Sequence, residues 1–342
     1  MVTAMNALKQ RGHHVTLVCR PNGEILSHAK EIGVDVIPLR MKGDFDPVTI
    51  LQIFWILKKK EIDVILTNMD KELRLAGIAA RLAKVRTVIC RKGIDFPLKN
   101  NLRYRFTYNK LATKIVANSL ATKTTLLENA PWLNPARIHV IYNGINPDLY
   151  LDNATRDLRK ELNIPNHVPL VGFVGRLNVQ KGISYLLEAF DNIAKENSRV
   201  QFLVAGDGDL KDEMISFAKE KGFYKRLTFT GFRKDIANVM RTIDILVLPS
   251  LWEGFGIVLI EAMAAKKPCI TTQISSMPEI VGHNVTGLVV PPKDIKSLTS
   301  AMLKLINDEQ LAKQMGENGR KLVMEKFSLD KMIEDYEQLF YA

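Results

Sequence analysis

Short runs of apolar residues alternate with longer amphipathic stretches along the chain. A short apolar run bounded by turn residues is typical of a buried strand, and helical spacing of apolar positions is typical of a covering helix. The pattern therefore predicts parallel sheets covered by helices. In the first half it predicts strands at residues 15–19, 36–38, 64–67, 88–91, 115–118 and 139–142, with helices such as 47–60 and 71–83.

The alternation stops after Asn143 and Gly144, a typical turn pair, and residues 146–168 are polar. It then restarts with the apolar run 170–174. The second half predicts further strands at 201–205, 227–230, 245–249, 269–272 and 287–290, helices at 182–195, 210–221, 257–265 and 295–307, and two final helices with Ser328 as N-cap between them. We therefore expect an α/β protein of two Rossmann-like doubly wound domains, 1–148 and 149–328, which face each other across a cleft.

The first ten residues predict a helix, which Gly12 is placed to end. A doubly wound unit normally opens with a strand and a glycine-rich turn, and that strand becomes the centre of the sheet. Both are missing before residue 15, so we expect that the sequence lacks the first strand of the N-terminal domain.

Composition narrows the class of protein and its compartment. A length of 342 residues favours two domains, and no run reaches the ~18 apolar residues of a membrane span. The start of the chain has no pattern typical of a signal peptide. The cysteines Cys19, Cys90 and Cys269 are scattered, which argues against a disulfide framework or a zinc site. We expect three buried thiols in a cytoplasmic protein, peripheral to the inner face of the membrane.

The net charge of +11 lies entirely in the first half, where residues 1–150 carry 23 basic and 12 acidic side chains. The densest part, residues 81–114, has ten basic residues and one acid, and it includes Tyr104, Phe106 and Tyr108. Basic and aromatic side chains together are typical of surfaces that bind phosphorylated glycolipids or anionic membranes. The alternative is a solvated basic face. No nucleic-acid recognition motif is present, so we expect an anionic acceptor or a membrane contact.

Residues 174–182, VGRLNVQKG, follow the apolar strand 170–174 directly. Gly175 permits a sharp turn, and Arg176 and Lys181 place two cations at the strand end. A diphosphate leaving group gains negative charge as its bond to a sugar breaks, and cations held there stabilise the transition state. The alternative is a solvated turn with two surface cations.

Residues 249–264, PSLWEGFGIVLIEAMA, predict a strand end, a glycine loop and a helix that begins near Ile257. The helix N-terminus offers unpaired amides and a positive dipole end to a phosphate. Glu253 and Glu261, eight residues apart, are placed to accept hydrogen bonds from hydroxyls at two ends of one ligand. An unpaired Glu261 would be costly in so apolar a helix, which favours function over a helix-surface residue.

Two further glycine loops, 205–210 (AGDGDL) and 230–235 (TGFRKD), also follow predicted strands. The first is not a dinucleotide fingerprint, because Lys211 stands where the third glycine is needed. An NAD-dependent dehydrogenase is therefore disfavoured.

The order GRL…KG, AGDG, TGF and EGFGxxxxE resembles the retaining glycosyltransferases of family 4, which have the GT-B fold and a group 1 type C-terminal domain. The resemblance covers the second half, and the closing FSLDKMIEDYEQL is similar to the family's last helix, 329–342, which crosses back to the first domain. RGHHVTLV and VIYNGI also resemble family stretches. The donor site that this implies contains Gly175, Arg176, Lys181, Gly206, Phe232, Arg233, Glu253, Gly254, Phe255, Gly256, Ile257, Val258 and Glu261.

The resemblance implies a role for each group. Arg176 and Lys181 would bind the diphosphate and Glu261 the ribose, while Glu253 and the amides of residues 254–256 would bind the donor sugar. Phe232 and Arg233 would lie near the base. Arg176, Lys181 and Glu253 would be the catalytic residues of a hexosyltransferase-like enzyme.

Two features of the family are missing from this sequence. The glycine-rich first loop is absent with the first strand, and no histidine stands at a matching strand end of the first domain; Asn68, Asp70, Arg91 and Lys92 are the candidates there. No metal or cofactor is implied, since Arg176, Lys181 and the helix end already supply positive charge. The letters DFD (44–46) and DGD (207–209) imitate a metal-binding motif only in sequence.

The favoured function is transfer of a sugar, with retention, from a nucleotide-diphosphate sugar to a glycan or glycolipid in cell-surface polysaccharide or lipopolysaccharide synthesis. The alternatives are a nucleotide-sugar-binding protein without activity and a GT-B epimerase or phosphorylase. A phosphorylase would also need a cofactor-binding lysine, for which the sequence offers no candidate.

Overall fold

The computed structural model describes residues 2–151 and 158–341. The chain divides into two compact units, Met1–Gly144 with Leu329–Ala342, and Ile145–Ser328. Part of the polar segment that the sequence places at the boundary, residues 152–157, lies outside the described residues, as do Met1 and Ala342 of the predicted terminal helices.

Strands and helices alternate through both units. The strands are β1 (Thr16–Cys19), β2 (Asp35–Pro38), β3 (Val64–Thr67), β4 (Thr87–Lys92), β5 (Lys114–Ala117), β6 (Ile138–Val140), β7 (Leu170–Val174), β8 (Gln201–Ala205), β9 (Leu227–Gly231), β10 (Ile245–Leu248), β11 (Cys269–Thr272) and β12 (Gly287–Val290). The helices are α1 (Val2–Gln10), α2 (Glu24–Glu31), α3 (Pro47–Lys59), α4 (Asp70–Ala83), α5 (Leu102–Phe106), α6 (Leu120–Asn129), α7 (Leu158–Glu161), α8 (Ile183–Glu196), α9 (Lys211–Glu220), α10 (Ile236–Thr242), α11 (Ile257–Ala264), α12 (Met277–Ile280), α13 (Ile295–Asn307), α14 (Glu309–Lys326) and α15 (Leu329–Tyr341).

The first unit contains two separate parallel sheets. β1 pairs with β2, and a second sheet has the order β3-β4-β5-β6. Within the described residues, α1 is the first element of the chain, as the sequence predicts. Helix α4 packs on the four-stranded sheet and α3 packs against α4, and Leu73, Leu75 and Tyr108 are among the fully buried side chains of this core.

The last helix, α15, belongs to the first unit. Its Tyr336 and Leu339 pack on Ile89 of β4 and Val116 of β5. The half-buried Glu337 accepts a hydrogen bond from Arg11 Nη1 at 2.9 Å. The helix therefore contacts both the sheet and the segment that follows α1.

The second unit is one six-stranded parallel sheet with the order β12-β11-β10-β7-β8-β9. Counted from its own first strand, this is the doubly wound order 3-2-1-4-5-6 read backwards. β7 and β10 are buried over their whole lengths, which explains why their sequences are continuous apolar runs. β7 and β10 lie side by side where the order reverses, and ligands bind at this point in such sheets.

The predicted α/β class with two Rossmann-like units is therefore confirmed, although the sheet of the first unit is in two parts. One sequence expectation is wrong: Tyr108 does not belong to an exposed aromatic and basic surface, because its ring is completely buried in the core. All three cysteines are free and buried, and burial raises the pKa of the Cys90 thiol to about 11. No helix of the described residues is long and apolar enough to cross a membrane.

Candidate active site

Four loops of the second unit lie together at the carboxyl ends of β7, β8, β9 and β10. The Gly175 N–H donates to the Ala205 carbonyl at 3.0 Å, and the Gly206 N–H donates to the Gly231 carbonyl at 2.9 Å. The Leu251 N–H donates to the Gln180 carbonyl at 2.8 Å. These bonds join the loops that the sequence singles out separately into one continuous edge, on both sides of the switch point.

Two glycines are required by the close approach of these loops. A Cβ on Gly206 would lie 1.9 Å from the Gly175 carbonyl oxygen, and a Cβ on Gly182 would lie 2.0 Å from the Pro249 carbonyl oxygen. No side chain fits at such distances, so both positions need glycine. These two glycines are therefore needed for the packing of the loops against each other, whether or not a ligand is bound.

Lys181 and Glu253 form an ion pair within this edge. The Lys181 ammonium donates to Glu253 Oε2, and the two side chains are 15% and 12% exposed. The Gly254 N–H donates to Glu253 Oε1 at 3.2 Å, and Ser250 Oγ lies 3.4 Å from Oε2. The sequence assigns these two groups to different parts of a donor, whereas the structure brings them into direct contact. Each holds the other in place.

Arg176 belongs to the same loop as Lys181, but its environment differs from that of the ion pair. Its side chain is exposed, and within residues 2–151 and 158–341 its guanidinium has neither an ion pair nor a hydrogen bond. A cation without a carboxylate partner is available to an incoming anion. Arg176 can therefore bind a diphosphate without first breaking an internal bond, whereas Lys181 is already paired with Glu253.

The N-terminus of α11 follows the loop at residues 253–256. Gly256 stands at the N-cap with φ 75°, and no side chain caps the helix, so its first amides face outward with the positive end of the helix dipole. Ile257 is 47% exposed, and Val258 is half-buried beside it. Phe255 is buried and meets the ring of Phe327 edge-on at 6.1 Å. Its ring therefore anchors the loop rather than facing a ligand.

Glu261, on α11, is hydrogen-bonded to a partner that sequence reasoning missed. The Tyr150 hydroxyl donates to Glu261 Oε1 at 2.9 Å. Burial raises the pKa of Glu261, and this hydrogen bond opposes the shift. The tyrosine is 111 positions away along the chain, so no local spacing indicates the pair. Tyr150 therefore occupies one oxygen of the carboxylate, and among the described residues no side chain donates a hydrogen bond to the other oxygen.

The loop after β9 places Phe232 and Arg233 differently. The Phe232 ring is 77% exposed. The Arg233 guanidinium is bound by Asp235 at 2.7 Å and by Glu161 at 3.1 Å, and it holds the pKa of Asp235 at about 2. Phe232 therefore offers a free ring face for stacking, whereas Arg233 is committed to two carboxylates.

A shallow cavity of about 270 Å³ adjoins the same edge. It is lined by Asn178, Val179, Gln180, Asp209, Leu210 and Trp252. The Gln180 amide donates to the Trp252 carbonyl at 3.1 Å, which joins two sides of this cavity.

In the first unit, two of the candidate residues are in contact. Lys92, at the end of β4, lies 3.1 Å from both Asp70 Oδ1 and the Tyr108 hydroxyl. Tyr108 also donates to Asp70. Arg91 instead donates to Asn143 Oδ1 at 2.6 Å, and Asn68 is exposed. The structure thus unites Asp70 and Lys92 through a buried tyrosine and places Arg91 and Asn68 elsewhere.

The burial of Glu261 makes its effect on stability depend on pH. A carboxyl with a raised pKa binds its proton more tightly in the folded chain than in the unfolded chain. The folded state therefore loses stability as the pH rises from the pKa of the unfolded chain through the pKa of the folded chain. We expect Glu261→Gln to raise the unfolding midpoint relative to wild type at pH 7. The gain should vanish at pH 4, in thermal scans at both pH values. A gain of the same size at both values would contradict this ionisation effect.

Comparison with known proteins agrees with this architecture. The family model described as Glycosyltransferase Family 4 matches residues 1–149, and the model described as Glycosyl transferases group 1 matches residues 154–322. An uncharacterized glycosyltransferase of Methanocaldococcus jannaschii is 31% identical over 68% of this chain and 60% of its own length. The Escherichia coli UDP-Gal:alpha-D-GlcNAc-diphosphoundecaprenol alpha-1,3-galactosyltransferase is 26% identical over 95% of this chain and 88% of its own.

A solved structure has the same fold. Anabaena HepE in complex with UDP superposes with a TM-score of 0.87 at 22% identity, over 99% of this chain and 94% of that one. The two family models match most of both units, and the gap between them, residues 150–153, follows shortly after the boundary between the units. With the doubly wound sheet and its glycine loops, they show that this chain belongs to the family 4 glycosyltransferases of the GT-B fold.

Proposed function

We propose that this protein transfers a sugar, with retention of anomeric configuration, from a nucleotide-diphosphate sugar to a glycan or glycolipid acceptor. The reaction would serve cell-surface polysaccharide or lipopolysaccharide synthesis. The observation that carries the proposal is one edge of one sheet that holds Arg176, the Lys181–Glu253 pair, the α11 N-terminus and Glu261. The UDP in the Anabaena HepE structure supports a nucleotide-sugar donor.

In this proposal each group of the edge binds one part of the donor. Glu261 accepts a hydrogen bond from a ribose hydroxyl through the oxygen that Tyr150 leaves free, and Phe232 stacks on the base. The diphosphate lies at Arg176 and the first amides of α11. Glu253 and the amides of residues 254–256 bind the sugar, as the family resemblance implies.

The chemistry requires charge stabilisation at the diphosphate. The bond between sugar C1 and the diphosphate oxygen breaks, and its electron pair stays on the leaving group. An acceptor hydroxyl oxygen forms the new bond to C1, and its proton passes to the leaving diphosphate oxygen. Arg176 and Lys181 stabilise the charge that develops, so we propose that no metal ion is needed for this role. Glu253 is bound to Lys181 and Glu261 to Tyr150, so in this proposal neither attacks the sugar.

The assay that tests this function follows a ¹³C-labelled nucleotide sugar by NMR in the presence of lipid-diphosphate-linked monosaccharides. We expect a new glycoside with the donor's anomeric configuration and a free nucleoside diphosphate. An epimerised nucleotide sugar or a sugar 1-phosphate would establish the epimerase or phosphorylase alternative. Binding without any turnover would establish the inactive nucleotide-sugar-binding protein.

The first unit has an exposed face that combines apolar and basic side chains. Beside Arg81 and Lys110, a wide cavity of about 710 Å³ is bordered by Leu82 and Phe106, which are 60% and 46% exposed. Apolar side chains ringed by cations are typical of peripheral membrane surfaces. We propose that this face contacts an anionic membrane on the cytoplasmic side.

Liposome flotation tests the membrane contact. We expect the protein to float with vesicles that contain anionic lipid at low salt, and much less at high salt or without anionic lipid. Leu82→Asp should reduce flotation, whereas Met324→Asp, at an exposed apolar position of the second unit, should not. Equal flotation under all conditions, or equal loss in both variants, would rule the contact out.

A further inference from the structure

Two arginines of the first unit share one carboxylate. Asp44, in the loop between β2 and α3, accepts a hydrogen bond from Arg74 Nη2 at 2.9 Å through its Oδ2 atom. The same oxygen is bound by Arg103 of α5. A single carboxylate oxygen therefore serves two guanidinium groups that come from different helices.

Arg74 has more donors than this contact uses. It is 5% exposed, and within the described residues its Nε and Nη1 atoms are buried without a hydrogen-bond partner. A buried guanidinium is normally fully hydrogen-bonded, because unpaired buried donors are costly. The geometry around Arg74 therefore suits an anion with more oxygens than the one that Asp44 supplies. A phosphate has such oxygens and binds arginine in a bidentate manner.

The position in the fold is also that of a ligand site. Arg74 lies one turn into α4, which begins directly after β3, and Asp44 lies in the loop that follows β2. Both therefore lie at carboxyl ends of strands, where open parallel sheets bind ligands. Asp44 lies in a half-buried loop, with 31% of its side chain exposed, so its carboxylate can withdraw without unfolding the core.

An apolar surface begins next to these arginines. The Arg103 guanidinium lies over the Phe45 ring at 5.7 Å. Val48, Leu51 and Trp55 of α3 are 63%, 56% and 62% exposed, and their spacing places them on one face of the helix. An anion held at the arginines would thus have an uncovered apolar stripe beginning close by.

We propose that Arg74 and Arg103 bind the phosphate of a phosphorylated lipid acceptor, and that Asp44 occupies this site until the acceptor displaces it. The lipid chain lies along Phe45 and the exposed face of α3. This inference rests on the proposed function and names the acceptor class and its site. An anion must break the ion pairs of Asp44 with Arg74 and Arg103 before it can bind. An anion without a lipid chain gains no apolar contacts that would offset this cost, so Asp44 disfavours such anions.

Calorimetric titration with farnesyl diphosphate and with inorganic pyrophosphate tests the site. The background variant is Arg176→Ala, which weakens diphosphate binding at the donor site. In this background we expect Asp44→Asn to raise the affinity for both ligands by about tenfold, since the charged carboxylate no longer competes for the two arginines. Arg103→Gln should lower the affinity for both ligands by about tenfold. Asp63→Asn, which removes an exposed acid elsewhere in the first unit, should change neither.

The lipid part of the proposal is tested by comparing the two ligands. Farnesyl diphosphate should bind at least about tenfold more tightly than pyrophosphate, and Trp55→Ser should reduce this difference. Unchanged affinities in Asp44→Asn, or the same change in Asp63→Asn, would overturn the site. If both diphosphates bind as expected but the wild type shows no sugar transfer, the proposed function fails and the anion site stands. If transfer occurs but Asp44→Asn and Arg103→Gln bind like wild type, only the site fails.

Discussion

Arg176→Ala is expected to lower kcat/KM for the donor by about 10²–10³-fold. Within the part of the chain that the structure describes, the Arg176 guanidinium has no internal partner, so its charge is fully available to the leaving diphosphate. Because its side chain is exposed, the substitution should leave the unfolding midpoint unchanged. Steady-state kinetics with the best donor, together with a thermal scan, separate the two effects.

The matched control is Lys225→Ala. Lys225 is an exposed cation of the same unit that lies just before β9, at the opposite end of the sheet. It should keep wild-type kinetics. Near-normal turnover in Arg176→Ala, or an equal loss in Lys225→Ala, would contradict the assignment of Arg176 to the diphosphate.

Lys181→Ala should reduce both turnover and stability. Glu253 would be left largely buried without its cation, and breaking a buried pair costs about 3 kcal/mol. The lost cation should lower kcat by about 100-fold, since it acts on the same developing charge as Arg176. Kinetics and urea denaturation measure the two losses separately.

The double variant Lys181→Met/Glu253→Gln separates structure from catalysis. Replacing both charges removes the uncompensated carboxylate, so the urea midpoint should return close to that of wild type. Turnover should stay as low as in Lys181→Ala. If the double variant also regains turnover, the pair is structural and the leaving group is stabilised elsewhere.

The regular parts of the fold were predictable because local pattern decides them. Strands β7, β8, β11 and β12 are buried at nearly every position and have the bounds that the apolar runs predict, since a strand covered on both faces is largely apolar. Short helices such as α10 and α12 were not predicted, because seven and four residues give too little periodicity. The division of the first unit into two sheets depends on pairing between distant strands, which local pattern does not contain.

The glycine loops of the site were also predictable, because each follows a strand and carries its own turn residues. The side-chain pairs were not. Lys181 and Glu253 are 72 positions apart, and Tyr150 and Glu261 are 111 apart, so only the folded sheet brings them together. The same holds for Arg74 and Asp44. Tyr108 was misjudged because a dense run of cations around it indicates an exposed surface, while the aromatic ring itself turns inward.

A crystal structure with the nucleoside diphosphate that most raises the unfolding temperature is the most direct test of the donor site. We expect the diphosphate to lie between Arg176 and the N-terminus of α11, with a ribose hydroxyl bound to Glu261. The base should stack on Phe232. A nucleoside diphosphate that is well ordered elsewhere while the carboxyl ends of β7 and β10 stay empty would contradict this assignment of the donor site.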